Sequence, residues 1–299
     1  MQVGALELQE PIPELRHPHM IGMLKPWIDV GSVGTLSLNF LEEKFGAVEL
    51  GRLQTPGRFY DFTRYRPTVV WRDNEREFIL PTTVLRVAQR ETGPDLIFLH
   101  SLEPHAMGEE FVASIGEVMG LLGVQRYCSI GSMYAPVPHT RPLIAGGGSN
   151  EPEVQAELEA LGIQRSAYQG PTSIVSMVSQ EARKRGIRNL SLILQLPNYS
   201  QLSEDYTGQY TMLNLLNNIY GFSLDLERVK RRGERLYSRL DEAIKSESQV
   251  RDMIRQLEVA YDSERETQVE KEDTPKLSIE MERFLQDLEK GSGEADSTR

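Results

Sequence analysis

The sequence predicts an α/β protein in which a parallel or mixed β-sheet lies between layers of helices. Short apolar runs alternate along the chain with segments whose apolar residues recur at helical spacing, which is the pattern that produces such a sheet. Two runs, 95–100 and 190–196, are largely apolar and typical of strands covered on both faces. Of the 299 residues, 39% are hydrophobic, which is enough to bury a sizeable core.

The body of this fold is assigned to residues 20–222. Its first strand is expected in the apolar run 20–30, and a helix follows in which Leu36, Phe40, Leu41 and Phe45 share one face. Further strands are expected at 47–53, 68–71, 77–80, 95–100, 124–130 and 190–196, with the second and third of these forming a hairpin. Further helices are expected at 109–122, 151–161, 172–185 and 206–220, and Thr82 is expected to cap another that carries Val84, Leu85, Val87 and Ala88.

The two ends of the chain differ from this body. Residues 1–19 are rich in Pro and Glu and lack apolar periodicity, so they are expected to form an arm on the surface. From Leu226 to Tyr261 apolar residues recur at alternating spacings of three and four, which is a heptad pattern. Gly233 and Glu247 interrupt it and are expected to mark a bend or a break. We interpret residues 223–262 as a helical extension folded onto the body, with a coiled coil or a subunit contact as the alternative.

The last segment, 263–299, is expected to be an acidic and partly disordered tail with one short amphipathic helix. That helix carries apolar residues at Leu277, Met281, Phe284, Leu285 and Leu288. Because it has little else to pack on, we expect it to dock on a neighbour. The residues expected to contact a protein partner are Leu236, Leu240, Ile254, Leu257 and Phe284.

Charge and composition exclude several classes of function. The chain has 33 basic and 44 acidic residues, a net charge of −11, whereas nucleic-acid binding requires a basic surface. Residues 262–299 hold 12 acidic and 6 basic side chains, which accounts for −6 of that charge. No apolar run reaches the roughly 18 residues of a membrane span, and residues 1–20 lack the layout of a signal peptide. We therefore expect a cytoplasmic protein that binds neither nucleic acid nor membrane.

The single cysteine, Cys128, limits the redox and metal chemistry. One cysteine excludes an internal disulfide and a thiolate-cluster metal site. It falls inside a predicted apolar strand, where cysteines usually behave as small core residues. Nor does the chain contain the Gly-x-Ser-x-Gly motif of a serine nucleophile. We expect neither a metal nor a cofactor, and we assign no catalytic residue.

A glycine-rich turn offers the first candidate binding element. Gly31, Ser32 and Gly34 lie between a predicted strand and a predicted helix, where backbone N–H groups and the helix dipole can hold an anion. The sequence here matches neither a Walker A loop nor a dinucleotide fingerprint. A tight strand-to-helix turn is the simpler interpretation.

Two further loops follow predicted strands, at the edge where open α/β sheets place ligands. Glu103 and His105 come at the end of the strand at 95–100 with His100, and such a group could supply a general acid and base or metal ligands. Its spacing matches no zinc signature. Gly131, His139 and Arg141 come after the strand at 124–130, in a segment with three prolines that stiffen it. His139 and Arg141 could present positive charge to a carboxylate or phosphate. An ordered crossover that closes the core or an interface would explain the second loop equally well.

Several stretches together resemble the proteasome assembly chaperone family, especially its bacterial members. They are WIDVGSVG at 27–34, FYDF at 59–62 followed by RP at 66–67, GSM at 131–133 with PHTRP at 138–142, and QLE at 256–258 with YD at 261–262. The resemblance implies a three-layer α/β/α sandwich similar to nucleoside phosphorylases and related hydrolases. It also implies self-association, often as rings or trimers, and a role in protein assembly for the eukaryotic and archaeal relatives.

Three hypotheses about function follow. The first is a homo-oligomeric interaction factor without enzymatic activity, whose helical C-terminal region engages an unidentified protein. The second is a phosphorylase- or hydrolase-type enzyme in which Glu103 or His105 moves a proton and Arg141 holds the anion. Its ligand, small and anionic or nucleoside-like, would lie among Gly31, Ser32, Gly34, Glu103, His105, Gly131, His139 and Arg141. The third, a coiled-coil scaffold, uses only the heptads and leaves the loops unexplained.

Overall fold

A ten-stranded mixed sheet forms the centre of the protein in a computed structural model, which describes residues 1–166 and 168–273. The described strands are β1 (Gln2–Val3), β2 (Leu6–Leu8), β3 (His19–Lys25), β4 (Val48–Leu53), β5 (Thr68–Arg72), β6 (Glu75–Ile79), β7 (Val84–Ala88), β8 (Leu96–Leu102), β9 (Arg126–Ala135), β10 (Ala145–Ser149), β11 (Gln164–Arg165) and β12 (Arg188–Pro197). The described helices are α1 (Val33–Phe45), α2 (Gly108–Leu121), α3 (Pro152–Ala160), α4 (Ile174–Lys184), α5 (Tyr206–Tyr220), α6 (Glu227–Ile244) and α7 (Ser248–Asp273).

The strand order across the sheet is β1-β2-β4-β7-β8-β3-β9-β12-β10-β11. The four central strands β8, β3, β9 and β12 are parallel, so their carboxyl ends meet at one edge. The neighbouring strands β7 and β10 are antiparallel to this centre. The two strands β5 and β6 stand apart and form a separate two-stranded sheet.

Helices cover both faces of the sheet and give the predicted three layers. On one face α2 and α4 pack through residues such as Phe111 and Val178. On the other face α1, α3 and α5 pack through residues such as Leu38, Leu158 and Leu216. The structure therefore confirms the α/β/α sandwich and its helical C-terminal region. Cys128 is fully buried in the second core, where burial raises the pKa of its thiol to about 12.

The prediction of a helix after Thr82 is wrong, because residues 84–88 form strand β7. This segment is only five residues long and contains two valines, whose branched side chains suit a pleated strand. It pairs antiparallel with β4 on one side and β8 on the other, which satisfies its backbone groups along both edges. Sheet pairing therefore outweighs the local capping signal.

Part of the expected N-terminal arm is built into the sheet. Strand β2 pairs antiparallel with β4, and its Leu6 and Leu8 are buried in the first core. The sequence pattern missed this strand because only three residues, Leu6, Glu7 and Leu8, alternate between core and solvent. Such a stretch is too short to show a clear period.

The helical extension consists of α6 and the start of α7. The chain leaves the helix between Ile244 and Ser248, next to Glu247. At Gly233, where a bend or a break was expected, there is no break because α6 runs through it. A first compact unit spans Met1–Arg251, and a second begins at Asp252. The divisions at residues 222 and 262 stay predictions, and the amphipathic helix at 277–288 lies outside the described residues. None of the described helices combines the length and apolar character needed to cross a membrane.

Gly233 brings α6 close to α5. A Cβ at this position would lie 2.8 Å from both the backbone nitrogen and the Oγ1 atom of Thr207. Thr207 belongs to the first turn of α5 and cannot move away without disturbing that helix. The sequence signal that suggested a bend therefore marks a close contact between two helices.

We expect Gly233→Ala to lower the free energy of unfolding by about 1–3 kcal/mol, because the added methyl overpacks this contact. The loss would occur although alanine favours helix formation over glycine by about 1 kcal/mol. The matched control is Gly120→Ala in α2, an exposed position whose Cβ would meet only Arg185 Nη1 at 3.7 Å. Urea denaturation should show the control unchanged or stabilised; equal effects at both positions would contradict the role given to Gly233.

Candidate functional site

The carboxyl ends of β3 and β9 are joined by the turn that follows β3. Ser132 donates from its backbone nitrogen to Ile28 O at 2.8 Å and from Oγ to Val30 O at 2.6 Å. A Cβ on Gly131 would lie 2.5 Å from Ile28 O, so only glycine fits there. The structure thus brings Gly131 to the glycine-rich turn, as the expected ligand site requires.

At the glycine-rich turn, where an anion is expected, the structure places a carboxyl group of the protein itself. Asp29 Oδ1 accepts from Thr35 N at 3.1 Å, and Asp29 Oδ2 accepts from Thr35 Oγ1 at 2.5 Å. Gly34 leaves room for this group, since a Cβ there would lie 3.0 Å from Asp29 Oδ1. Burial raises the pKa of Asp29, and these hydrogen bonds partly offset that effect. The first turn of α1 therefore binds Asp29 rather than presenting free N–H groups.

Gly31 and Ser32 connect this turn to the start of α5. Gly31 has a φ of +59°, and a Cβ on it would lie 2.8 Å from the Cβ of Asp205. Its carbonyl accepts from Asp205 N at 2.8 Å, while Ser32 Oγ donates to Ser203 O at 2.9 Å. The two residues therefore fix the segment before α5 against the turn after β3.

Asp205 links α5 to α6 beneath the surface. Its side chain is fully buried; Oδ1 accepts from Gly208 N at 2.8 Å and caps α5, and Oδ2 accepts from Tyr237 OH at 3.0 Å. Burial is the main cause that raises the pKa of Asp205, and the two hydrogen bonds act against it. The carboxyl group thus depends on Tyr237 for one of its partners.

His139 continues the same set of contacts. Its ring meets Tyr237 edge to face with centroids 5.7 Å apart, and its Nε2 lies 2.8 Å from Asp241 Oδ1 on α6. The hydroxyl of Tyr199 lies 2.6 Å from His139 Nδ1 and accepts from His139 N at 2.8 Å. We call Gly31, Asp205, Tyr237, His139 and Asp241 the polar network. Arg141 follows in the same segment, with Nη1 3.4 Å from Thr140 O.

Glu103 and His105 belong to a different cluster. Glu103 Oε1 accepts from Ile174 N at 3.0 Å at the start of α4, and burial raises the pKa of Glu103. His105 Nδ1 accepts from Asp61 N at 3.1 Å, and its ring lies 4.7 Å from that of Tyr65. None of these partners is part of the polar network. Glu103 and His105 therefore have different neighbours from Gly31 and His139, so these contacts do not bring the residues of the expected pocket together at one place.

Sequence reasoning missed Asp29, Asp205 and Tyr237, which hold the site together. Asp205 carried a usable signal, because an Asp immediately before a helical period is a favoured cap. Tyr237 carried no such signal, since it lies one residue after Leu236 and therefore outside the heptad positions of α6. As for metals, no group of three potential His, Cys, Asp or Glu ligands occurs within the described residues.

The expected contact residues of the extension have mixed exposure. Leu236 and Leu240 on α6 are half-buried, as is Leu257 on α7, whereas Ile254 is buried. Phe284 lies outside the described residues. The role of these five side chains in partner binding stays a prediction.

A more exposed apolar surface lies on the hairpin of β5 and β6. Cross-strand register pairs Val69 with Phe78 and Trp71 with Arg76, so these side chains share one face. Trp71 is 69% exposed and Phe78 is 65% exposed, and Arg76 stacks over the Trp71 ring at 5.7 Å. We call Val69, Trp71 and Phe78 the hairpin face. The sequence predicted the hairpin but not its exposed apolar face.

Tyr237→Phe should lower the free energy of unfolding by about 1–3 kcal/mol, because it leaves a buried carboxylate oxygen of Asp205 without its donor. The matched control is Tyr134→Phe, which removes a hydroxyl from an exposed ring. Thermal or urea denaturation of both variants measures the difference. Equal stabilities of the two variants would show that the Tyr237 hydroxyl does not support Asp205.

Comparison with known proteins shows what this chain is similar to. A PAC2 family protein from Streptomyces avermitilis is 23% identical with a TM-score of 0.71, covering 79% of this chain and 99% of its own. A Mycobacterium tuberculosis protein of unknown function is 21% identical with a TM-score of 0.79, and the match covers 91% of this chain and 93% of that protein. An archaeal proteasome activator from Pyrococcus furiosus is 16% identical with a TM-score of 0.61, and the match covers 82% of this chain and 100% of that protein.

These matches are all below 25% identity, and they show that this chain shares the fold of the three proteins. A search of the curated proteins finds no match. The sequence model of the PAC2 family matches residues 23–244, which is most of the chain and includes the turn after β3, the hairpin and α6. The chain belongs to the PAC2 family.

Proposed function

We propose that this protein is a non-enzymatic assembly factor that works in the cytoplasm by binding other protein chains, including copies of itself. Membership of the PAC2 family supports a role in protein interaction. Among proteins of the same fold, one from Mycobacterium tuberculosis is described as a proteasome-assembly chaperone homologue; it is 18% identical with a TM-score of 0.70. Self-association as a ring or trimer, and contacts through Leu236, Leu240, Ile254, Leu257 and Phe284, are part of the proposal.

The observation that carries the proposal is the exposed hairpin face. A two-stranded hairpin is at best marginally stable alone in water and needs a further layer to pack against. Large aromatic side chains exposed side by side are typical of protein-binding surfaces, where Trp and Arg contribute much of the binding energy. Trp71, Phe78 and Arg76 supply this combination on one face.

The enzyme hypothesis is supported by one observation. Asp29 and Asp205 are buried carboxyl groups with raised pKa values near the carboxyl ends of β3 and β12, and such groups are enriched at active sites. Their oxygens, however, are engaged by Thr35, Gly208 and Tyr237. A structural role for both carboxylates accounts for these contacts without a substrate.

The proposal predicts that neither inorganic phosphate nor nucleosides raise the melting temperature of the protein. Differential scanning fluorimetry over a range of ligand concentrations measures this, with Arg141→Ala as the comparison. A concentration-dependent rise that Arg141→Ala abolishes would favour the enzyme hypothesis.

A photoreactive phenylalanine analogue placed at Phe78 should form covalent adducts with partner proteins in living cells. The matched control carries the same analogue at Thr68, which is exposed on the opposite face of the hairpin. Mass spectrometry then identifies the adducts from each position. We expect several-fold more adducts at Phe78; equal yields from both positions would contradict binding through the hairpin face.

A further inference from the structure

An open groove lies between three helices of the fold. It encloses about 680 Å³ between α1, α5 and α6, within the range of about 300–1,000 Å³ typical of binding pockets. Leu36, Phe40 and Val229 supply apolar side chains to its lining. We call this cavity the helix groove.

Cations dominate the rim of the helix groove. Lys44, Arg228 and Arg232 line it together with a single acid, Glu43. Arg232 lies over the Tyr206 ring at 3.6 Å from the centroid and 4.0 Å from Glu204. Within the described part of the chain, Lys44 and Arg228 form no ion pair. This rim is therefore a local basic site on a chain whose net charge is −11.

The turn of the hairpin has a small excess of acid, because Asp73 and Glu75 stand beside one cation, Arg72, which lies opposite Glu75 in the strand register. Asp73 and Asn74 both have positive φ, 49° and 66°, which gives the tight turn favoured between two strands. Asp73 and Glu75 lie at this turn, and neither forms an ion pair among residues 1–166 and 168–273 of the structure. The hairpin thus combines a turn with a net acidic charge and a face on which Trp71 and Phe78 stand beside Arg76. The helix groove combines a basic rim with an apolar lining.

We propose that the hairpin of one copy of this chain docks in the helix groove of a second copy. This inference rests on the proposed function and names the two surfaces through which the chain binds itself. Docking would cover Trp71 and Phe78 with Leu36 and Phe40, and would place Asp73 and Glu75 near Lys44 and Arg228. The two surfaces are different, so the contact is heterologous.

Charge favours this contact over one between two grooves. Two helix grooves placed face to face would bring their cations together, which costs energy. In the contact between hairpin and groove, the net acidic turn instead meets the basic rim. A heterologous contact repeated around a rotation axis closes into a ring when the rotation permits.

Two variants of the full chain test the proposal. The hairpin variant carries Trp71→Ser and Phe78→Ser, and the groove variant carries Lys44→Glu and Arg228→Glu. All four side chains are exposed, so folding should survive. Light scattering after size-exclusion chromatography and sedimentation equilibrium measure the molecular mass over a range of concentrations. We expect wild type to associate, and each variant alone to associate at least tenfold more weakly.

Mixing the two variants gives the decisive measurement. The groove variant keeps a normal hairpin and the hairpin variant keeps a normal groove, so an equimolar mixture should form a one-to-one heterodimer. If the groove variant alone still associates like wild type, the contact does not use the groove and the proposal is overturned. A mixture that stays monomeric overturns it as well.

Matched controls separate this contact from general effects of charge or apolar surface. Arg231→Glu with Arg235→Glu reverses the same number of positive charges as the groove variant. Both residues lie on α6 outside the helix groove, so this control should leave association unchanged. Val48→Ser with Leu121→Ser removes exposed apolar groups elsewhere and should do the same. If wild type is monomeric at all concentrations, the inference fails, whereas adducts from Phe78 with other proteins would still support the proposed function.

Discussion

The buried carboxylate of Asp205 is the contact on which the arrangement of the C-terminal helices depends. It caps α5 through Gly208 and accepts a hydrogen bond from Tyr237 on α6, while its backbone nitrogen donates to Gly31 after β3. One residue therefore connects the central sheet to two helices. A buried carboxylate is costly unless its oxygens are satisfied, so the positions of α5 and α6 are coupled to each other. The helix groove lies between these same helices and α1, so its width depends on this coupling.

The central part of the fold could be predicted from the sequence because its signals are long and local. The strands β8 and β12 contain the apolar runs 96–99 and 192–194, and the helix α5 was expected with the bounds that the structure shows. Errors arose where long-range pairing decides the structure. Strand β7 is stabilised by two neighbouring strands, one of which lies more than 30 residues away in sequence, and β2 joins the sheet through β4. A single sequence contains no direct record of these pairings.

The candidate site shows the same division. The sequence located the loops at the carboxyl ends of the strands and identified Gly31, Gly131 and His139 as candidates. In the structure these three residues lie along one connected series of contacts. It could not show that the anion expected at the glycine turn is Asp29 of the chain itself, because six residues and a change of backbone direction separate the carboxylate from Thr35. Nor could it separate Glu103 and His105 from the others, since the side of the sheet on which a loop side chain lies is set by tertiary packing.

The burial of Cys128 has a practical consequence. Its thiol is fully buried in β9, and burial raises its pKa to about 12, so it remains protonated and unreactive at neutral pH. The folded protein therefore does not react with thiol-directed spin labels and fluorophores. A single cysteine introduced on the surface would carry the only reactive thiol. Distances between copies could then be measured by electron paramagnetic resonance or energy transfer in a chain whose core sequence is unchanged.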